Sequence, residues 1–97
     1  MGEIIPENYA IMFSLEETKK IIENNTIKNM YSHNLDIKKH AYDDSDNTFN
    51  LEIGGLFSSK KCNILLTPTK NGTNIFVDCD DERIVRRIIT SISNSLI

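Results

Sequence analysis

Tryptophan is absent from the sequence and other aromatic residues are few, with four Phe and three Tyr among 97 residues. Isoleucine instead occupies 15 positions, which predicts a core of aliphatic side chains. A chain of this length fills one hydrophobic core but not two, so we expect a single domain over residues 1–97. The apolar fraction of 39 % and the charged fraction of 26 % are ordinary for a soluble globular protein.

Long apolar runs are also absent. No run approaches the roughly 20 apolar residues that span a bilayer, and the start of the chain lacks the basic and apolar regions of a signal peptide. We therefore expect no membrane association and a cytoplasmic location. Because the cytoplasm is reducing, Cys62 and Cys79 are expected to be free thiols.

An excess of positive charge is missing as well. Eleven Lys and Arg residues stand against fourteen Asp and Glu residues, which gives a net charge of −3 at pH 7. This is the wrong sign for a general nucleic-acid binder, so the charge disfavours nucleic acid as the partner.

Apolar and polar residues alternate in five segments, which predicts strands over residues 7–13, 35–42, 48–53, 62–67 and 74–79. Between the first two, Ser14 and Glu17 match a capping box and so begin a helix. We expect this helix to end at Asn24-Asn25. A further helical turn over residues 26–31 is expected to present three side chains to the core: Ile27, Met30 and Tyr31.

The last helix has the clearest pattern. Acidic residues open it, where the helix dipole favours negative charge: Asp80, Asp81 and Glu82. Its apolar stripe repeats at three- and four-residue spacing: Ile84, Val85, Ile88, Ile89, Ile92 and Leu96. Its polar side is expected to carry Arg83, Arg86, Arg87, Thr90 and Ser91.

The hairpin between the last two predicted strands presents a conflict. Asn71-Gly72 is typical of a two-residue type I′ turn. Such a turn would place Pro68 opposite Ile75 at a hydrogen-bonded pair, where proline has no amide to donate. Either the loop is longer or a bulge lies near Pro68, and we expect the bulge or a sheet edge.

The element order is β-α-β-β-β-β-α, which predicts an α+β fold. We expect a two-layer α/β sandwich with a mostly antiparallel sheet and both helices on one face. A bulge or bend is expected at Gly54-Gly55, since paired glycines interrupt strands.

This order, over essentially the whole chain, resembles a single repeat of the TATA-binding-protein fold. The segment from residue 49 through residue 72 to the helix starting near Asp81 is similar in layout to the last strands and closing helix of that repeat. The chain also resembles small single-domain archaeal proteins of uncharacterised function in length and element order. A TATA-binding protein has two repeats and a basic, Phe-bearing DNA face, so the resemblance implies no functional residue here.

No motif in the sequence supports catalysis or metal binding. Structural zinc needs paired ligands at short spacing, whereas His33, His40, Cys62 and Cys79 are isolated. The two cysteines are expected to face the same side of neighbouring strands as small core residues. Residues 44–48 lack the Gly and Glu of a calcium loop, and no nucleophile turn surrounds either cysteine. We predict no enzyme activity, no cofactor and no metal.

The sheet face away from the helices is the predicted binding surface. Ten residues are expected to face the helices: Ile11, Phe13, Leu35, Ile37, Phe49, Leu51, Ile64, Leu66, Ile75 and Val77. Polar residues expected to face outward include Lys38, Asn50, Glu52, Asn63, Thr67 and Asp78. Five outward residues make the candidate site: Met12, His40, Tyr42, Leu65 and Phe76. A contiguous exposed apolar patch usually marks a binding site, whereas scattered apolar residues are normal on a surface.

We therefore predict a non-enzymatic binding module that takes a protein or peptide partner on this face and is a monomer or a weak homodimer. An alternative is nucleic-acid binding, by analogy with the TATA-binding-protein fold. It would use the basic residues Lys38, Lys60, Lys61, Lys70, Arg83, Arg86 and Arg87. A third reading is a small ligand held between the sheet and the helices.

Overall fold

A computed structural model of the protein describes residues 8–28, 36–54 and 59–95. Its strands are β1 (Asn8–Ile11), β2 (Asp36–Asp43), β3 (Thr48–Gly54), β4 (Ser59–Pro68) and β5 (Thr73–Asp78). Its helices are α1 (Leu15–Ile21), which continues into a π-helical segment (Ile22–Thr26), and α2 (Glu82–Ser95). The strands form one antiparallel sheet in the order β1-β5-β4-β3-β2. The predicted α+β class and element order are confirmed.

The helices cover one side of the sheet, called here the helix face, and the other side is called the open face. The central parts of β3, β4 and β5 bury every second residue, because successive side chains of a strand point to opposite faces, and Thr48 at the start of β3 is buried as well. The core joins these strand residues to the helices: Phe49, Leu51, Ile53, Cys62, Ile64, Leu66, Ile75 and Val77 with Ile22, Val85, Ile88 and Ile92. The alternation predicted for these three strands is confirmed.

The first strand ends at Ile11, earlier than predicted, and Phe13 lies beyond it in a bend. Phe13 is 37 % exposed, so the prediction that it faces the helices is wrong. Its backbone carbonyl accepts hydrogen bonds from Thr73 Oγ1 at 2.8 Å and Thr18 Oγ1 at 3.3 Å. These two buried hydroxyl groups hold the bend through the backbone carbonyl of Phe13, while the aromatic ring of Phe13 lies outside the core. Leu35 lies outside the described residues.

Helix α1 begins as predicted. Ser14 Oγ accepts a hydrogen bond from the Glu17 amide at 3.2 Å, and the Ser14 amide donates to Glu17 Oε1 at 3.1 Å. These reciprocal bonds form the capping box and satisfy amides that the helix itself leaves unpaired.

The predicted end of this helix at Asn24-Asn25 is wrong. The chain continues through both residues as the π-helical segment, and Ile27 is again α-helical. Thr26 and Ile27 are buried, so tertiary packing outweighs the local preference of Asn for helix ends. Burial of Ile27 agrees with prediction, whereas Met30 and Tyr31 lie outside the described residues.

Helix α2 begins at a side-chain cap. Asp81 Oδ1 accepts a hydrogen bond from the Arg83 amide at 2.9 Å, and the Asp81 carbonyl accepts from the Val85 amide at 3.0 Å. The bond from the Arg83 amide holds the pKa of Asp81 below its usual value. The predicted acidic start of this helix is confirmed.

Ser91 is fully buried, so its assignment to the polar side of α2 is wrong. The π-helical segment packs against α2 on this side, through a hydrogen bond from Thr26 Oγ1 to Ser95 Oγ at 2.8 Å. Ser95 Oγ in turn donates to the Ser91 carbonyl at 2.7 Å. Small residues at this contact let the two helical segments approach closely.

Strand β2 contains a β-bulge at Lys38. Ile37 pairs with Ile53, and the next pair joins Lys39 to Glu52, so Lys38 is an additional residue without a partner of its own in the β2–β3 register. An additional residue reverses the inward and outward alternation of every residue that follows it in the strand.

The bulge changes the faces of two predicted site residues. His40 pairs with Leu51, and Tyr42 pairs with Phe49. Directly paired side chains lie on the same face of a sheet, and Leu51 and Phe49 belong to the core. His40 and Tyr42 therefore lie on the helix face, and the prediction that they face outward is wrong.

Gly54, at the end of β3, pairs with both Asp36 and Ser59 in regular register. The irregularity predicted at Gly54-Gly55 is therefore not found at Gly54, and Gly55 lies outside the described residues. A Cβ atom on Gly54 would overlap the Lys38 side chain. The glycine thus leaves room for the lysine stem to cross β3.

The β4–β5 loop has four residues, because Pro68 pairs with Thr73. The Thr69 amide donates to the Gly72 carbonyl at 2.8 Å, and the Gly72 amide donates to Thr69 Oγ1 at 3.0 Å. Neither Asn71 nor Gly72 has the positive φ that a type I′ turn requires. The predicted type I′ turn and the preferred bulge near Pro68 are both wrong. The longer loop resolves the conflict by placing proline at the strand end.

Cys62 and Cys79 are joined by a disulfide bond, so the prediction of free thiols is wrong. Asn63 pairs with Asp78, and the two cysteines are the next residues along these antiparallel strands. Their Cα atoms are 4.5 Å apart, the spacing of directly opposed residues in a non-hydrogen-bonded pair. The prediction that they face the same side is confirmed.

Candidate binding face

Leu65 and Phe76 form an apolar pair on the open face. They are directly opposite each other in the β4–β5 register, and both side chains are partly buried. Their neighbours Ile64 and Val77 point into the core, so the strand alternation directs Leu65 and Phe76 away from the helices. Of the five predicted site residues, the structure places these two together on the predicted face.

Tyr42 belongs to the helix face and is held there by three contacts. Its ring centroid lies 4.7 Å from that of Phe49, and Lys19 Nζ of α1 lies 4.5 Å from the ring centroid. Its hydroxyl donates to Asn47 Oδ1 at 3.1 Å. Burial raises the pKa of the Tyr42 hydroxyl, although the positive charge of Lys19 acts in the opposite direction. Tyr42 is therefore a structural residue at the edge of the core.

His40 and Met12 also lie away from the Leu65–Phe76 pair. His40 is exposed on edge strand β2, on the helix face opposite Leu51. Met12 is 87 % exposed and lies outside the sheet, in the bend that follows β1. It lines a depression of about 450 Å³ beside the β4–β5 loop.

Sequence reasoning missed two open-face residues, Lys39 and Ala41, which the bulge places where His40 and Tyr42 were predicted. A depression of about 770 Å³ lies beside them. It is lined by residues of three neighbouring strands: Lys38, Lys39, His40, Ala41, Asn50, Leu51, Glu52, Lys61 and Asn63. The sequence alone does not show that Lys39 lies on the open face, because the bulge depends on the pairing of β2 with β3.

Positive charge predominates around this depression, which we call the lysine depression. Glu52 pairs with Lys39 on one side and Lys61 on the other, but neither lysine forms an ion pair within the part of the chain that the structure describes. The Glu52 carboxylate instead accepts a hydrogen bond from Ser59 Oγ at 2.9 Å. Lys38 Nζ lies 3.6 Å from a carboxylate oxygen of Asp36, and both side chains are largely exposed.

Two carboxylates lie on the open face outside the lysine depression, those of Asp78 and Asp43. Asp78 pairs directly with Asn63, so it lies between the level of Phe76 and that of Lys61, and it is exposed. Asp43, at the end of β2, accepts hydrogen bonds from the hydroxyl and the amide of Ser45 at 2.7 Å and 3.0 Å. These bonds hold the pKa of Asp43 below its usual value. Along the strands, the open face thus has lysines at the level of Lys61, a carboxylate at the level of Asn63, and the apolar pair at the level of Leu65.

The other basic residues do not share this surface. Arg83, Arg86 and Arg87 are exposed on the outer side of α2, which packs on the opposite face of the sheet. Lys60 pairs with Ile53 and so projects on the helix side, while Lys70 lies in the β4–β5 loop. The basic residues predicted for nucleic-acid contact are therefore divided among separate surfaces.

Comparison of the chain with protein-family models, curated proteins and solved structures found no match. The resemblance to a repeat of the TATA-binding-protein fold and to archaeal domains therefore stays a prediction. Among the described residues, no three His, Cys, Asp or Glu side chains converge in a way that could hold a metal ion. No helix within the described ranges has the length and apolar character needed to cross a membrane.

Proposed function

We propose that this protein is a non-enzymatic binding module that holds a protein or peptide partner on its open face. The observation that carries the proposal is the Leu65–Phe76 pair, which lies on the side of the sheet that the helices leave uncovered. An aromatic side chain there contributes little to the helix–sheet core. It is suited to anchor a partner, since aromatic residues are enriched among the residues that dominate interface energies.

The surroundings of this pair support a recognition surface. Polar residues on the same face continue along the strands from the apolar pair to the lysine depression, including Asn50 and Asn63, which pair directly. An apolar centre bordered by polar and charged groups is the usual composition of a protein interface.

The charge distribution supports a protein partner over a nucleic acid. Phosphate binding requires basic side chains on one surface, whereas the arginines of α2 and the lysines of the open face lie on opposite layers. The carboxylates of Asp78 and Asp43 on the open face would also repel a phosphate backbone.

A small ligand between the sheet and the helices has less support. The two depressions described above lie on the open face and beside the β4–β5 loop. The side chains that meet between the layers, such as Ile22, Ile64 and Ile88, are fully buried in one continuous core.

The test is selection of binders from a phage-displayed library of random twelve-residue peptides. Wild-type protein, a Phe76→Ser variant and a Met12→Ser variant are immobilised in parallel. Met12→Ser is the matched control, because it also replaces an exposed apolar residue but lies outside the sheet. We expect wild-type and Met12→Ser protein to enrich a common family of peptides and Phe76→Ser to lose it.

Stability measurements accompany the selection. Phe76→Ser is expected to lower the free energy of unfolding by about 1 kcal/mol or less, as for other partly exposed positions. Retention of the same peptides by Phe76→Ser would contradict the proposal. Unfolding of this variant would show that Phe76 serves the core. Sedimentation velocity with wild-type and Phe76→Ser protein shows whether the same face mediates weak dimerisation.

A further inference from the structure

Resting on the function proposed above, we infer that the partner segment is an extended acidic peptide. Its apolar side chain packs on Leu65 and Phe76, and its carboxylates lie about four residues away, among the lysines of the lysine depression.

The spacing follows from the geometry of β4. Leu65, Asn63 and Lys61 are alternate residues of this strand and so project on the same face. Leu65 and Lys61 are four positions apart, about 13 Å at 3.3 Å per residue. An extended peptide lying along β4 has the same rise, so a side chain four positions from its apolar residue reaches Lys61.

The charge of the lysine depression selects carboxylates. Lys38, Lys39 and Lys61 line it with one acidic residue, Glu52. Lys38 is paired with Asp36, so Lys39 and Lys61 carry the positive charge available to a ligand. The bulge is responsible for this density, because it adds Lys39 to an open face that already holds Lys38. The stem of Lys38 crosses Gly54, and Lys38 also lines the depression.

The segment between the apolar pair and the lysines suits a peptide backbone. Asn50 and Asn63 lie side by side there and both line the depression. Each amide side chain has donors and an acceptor, so it can pair with the N–H and C=O groups of an extended peptide. Asp78 pairs with Asn63, halfway between Leu65 and Lys61, so it repels a carboxylate two residues from the apolar anchor and leaves the level of Lys61 as the place for one.

A single-stranded nucleic acid fits this face less well. Proteins that bind single strands stack successive bases on several aromatic rings. Among the open-face side chains that the structure describes, Phe76 is the only aromatic one. A strand lying along β4 would have one stacking position, and its phosphates would then pass Asp78.

The experiment repeats the peptide selection with a charge-reversed protein, Lys39→Glu/Lys61→Glu. The matched control is Arg86→Glu/Arg87→Glu, which changes the net charge equally but on the outer side of α2. All four residues are exposed, so both variants are expected to fold, which thermal melts verify. Binding of an individual selected peptide is then measured by fluorescence anisotropy.

Wild-type and control proteins are expected to select peptides with Asp or Glu about four residues from an aromatic or aliphatic residue. The charge-reversed protein is expected to select Lys or Arg at that position, and its Kd for an acidic peptide selected on wild type should rise at least tenfold. If it selects the same acidic peptides as wild type, the inference is wrong. In that case, loss of the peptides by Phe76→Ser would still support the proposed function. Retention of the peptides by Phe76→Ser would contradict the proposed function as well as the inference.

A fluorescein-labelled fifteen-residue oligothymidylate provides the nucleic-acid comparison. We expect it to bind wild-type protein more weakly than the acidic peptide at physiological salt. Tighter binding of the oligonucleotide, lost in Lys39→Glu/Lys61→Glu and weakened steeply by salt, would overturn the acidic-peptide inference in favour of nucleic acid.

Discussion

At the scale of single residues, Asn47 has the most demanding backbone conformation in the described chain. Its φ of 53° lies in the left-handed region, and it ends the turn between β2 and β3. Its carbonyl accepts a hydrogen bond from the Leu66 amide at 2.9 Å, and its side chain accepts one from Tyr42. The turn therefore connects β2, β3 and β4, so the backbone conformation of Asn47 affects packing at the edge of the core.

We predict that Asn47→Ala destabilises the protein by about 1–2 kcal/mol, because a Cβ atom is unfavourable in the left-handed region. Asn47→Gly removes the same bond to Tyr42 without that steric cost, and is expected to be the milder change. Chemical denaturation of both variants measures the difference. Equal stabilities would mean that the backbone conformation of Asn47 contributes nothing.

At the scale of elements, the bulge in β2 decides which residues reach the open face. Deleting Lys38 removes the additional residue and restores a regular ladder in which Tyr42 still faces the core. We predict that this deletion leaves the protein folded, with a stability loss no larger than the usual about 0.5–3 kcal/mol of a point mutation.

The control is deletion of Asn50 from β3, which has no bulge. That deletion shifts the residues on one side of it to the opposite face of the sheet. Either Phe49 or Leu51 then leaves the core, so the protein is expected to unfold. Thermal melts and near-ultraviolet circular dichroism distinguish the two deletions. Unfolding of both would indicate that the bulge is required for the fold itself.

Helix α2 packs on the sheet through one apolar side. Ile88 is fully buried in the core, and we predict that Ile88→Ala lowers the free energy of unfolding by roughly 2–5 kcal/mol. Thr90→Ala, on the exposed side, is the matched control and should change stability little. Ser91 does not serve as a control, since it is buried at the contact with the π-helical segment. Comparable losses for Ile88→Ala and Thr90→Ala would contradict the observed helix orientation.

At the scale of the whole molecule, the disulfide bond links β4 to the segment that enters α2. Its cysteines are 17 residues apart, and a bridge of that loop length stabilises by about 3 kcal/mol in the chain-entropy model. We predict that dithiothreitol lowers the Tm of wild-type protein, and that a Cys62→Ala/Cys79→Ala variant is insensitive to it. A chelator is the control and should leave both Tm values unchanged. An unchanged wild-type Tm under dithiothreitol would contradict a stabilising disulfide.

Much of the fold follows from local pattern. Alternation of residue types identified β3, β4 and β5 with their correct faces, and Leu65 and Phe76 were placed correctly for that reason. The capping box and the acidic start of α2 were also predictable, because their hydrogen bonds join residues two or three positions apart.

Only the tertiary structure decided the rest. The bulge at Lys38 exists because β2 pairs with β3, and it moved His40 and Tyr42 to the helix face. The continuation of α1 through its asparagines and the burial of Ser91 both depend on packing between helical segments. The cysteines meet only when β4 and β5 align. Local preferences amount to less than about 1 kcal/mol per residue, so contacts between distant segments outweigh them wherever the two disagree.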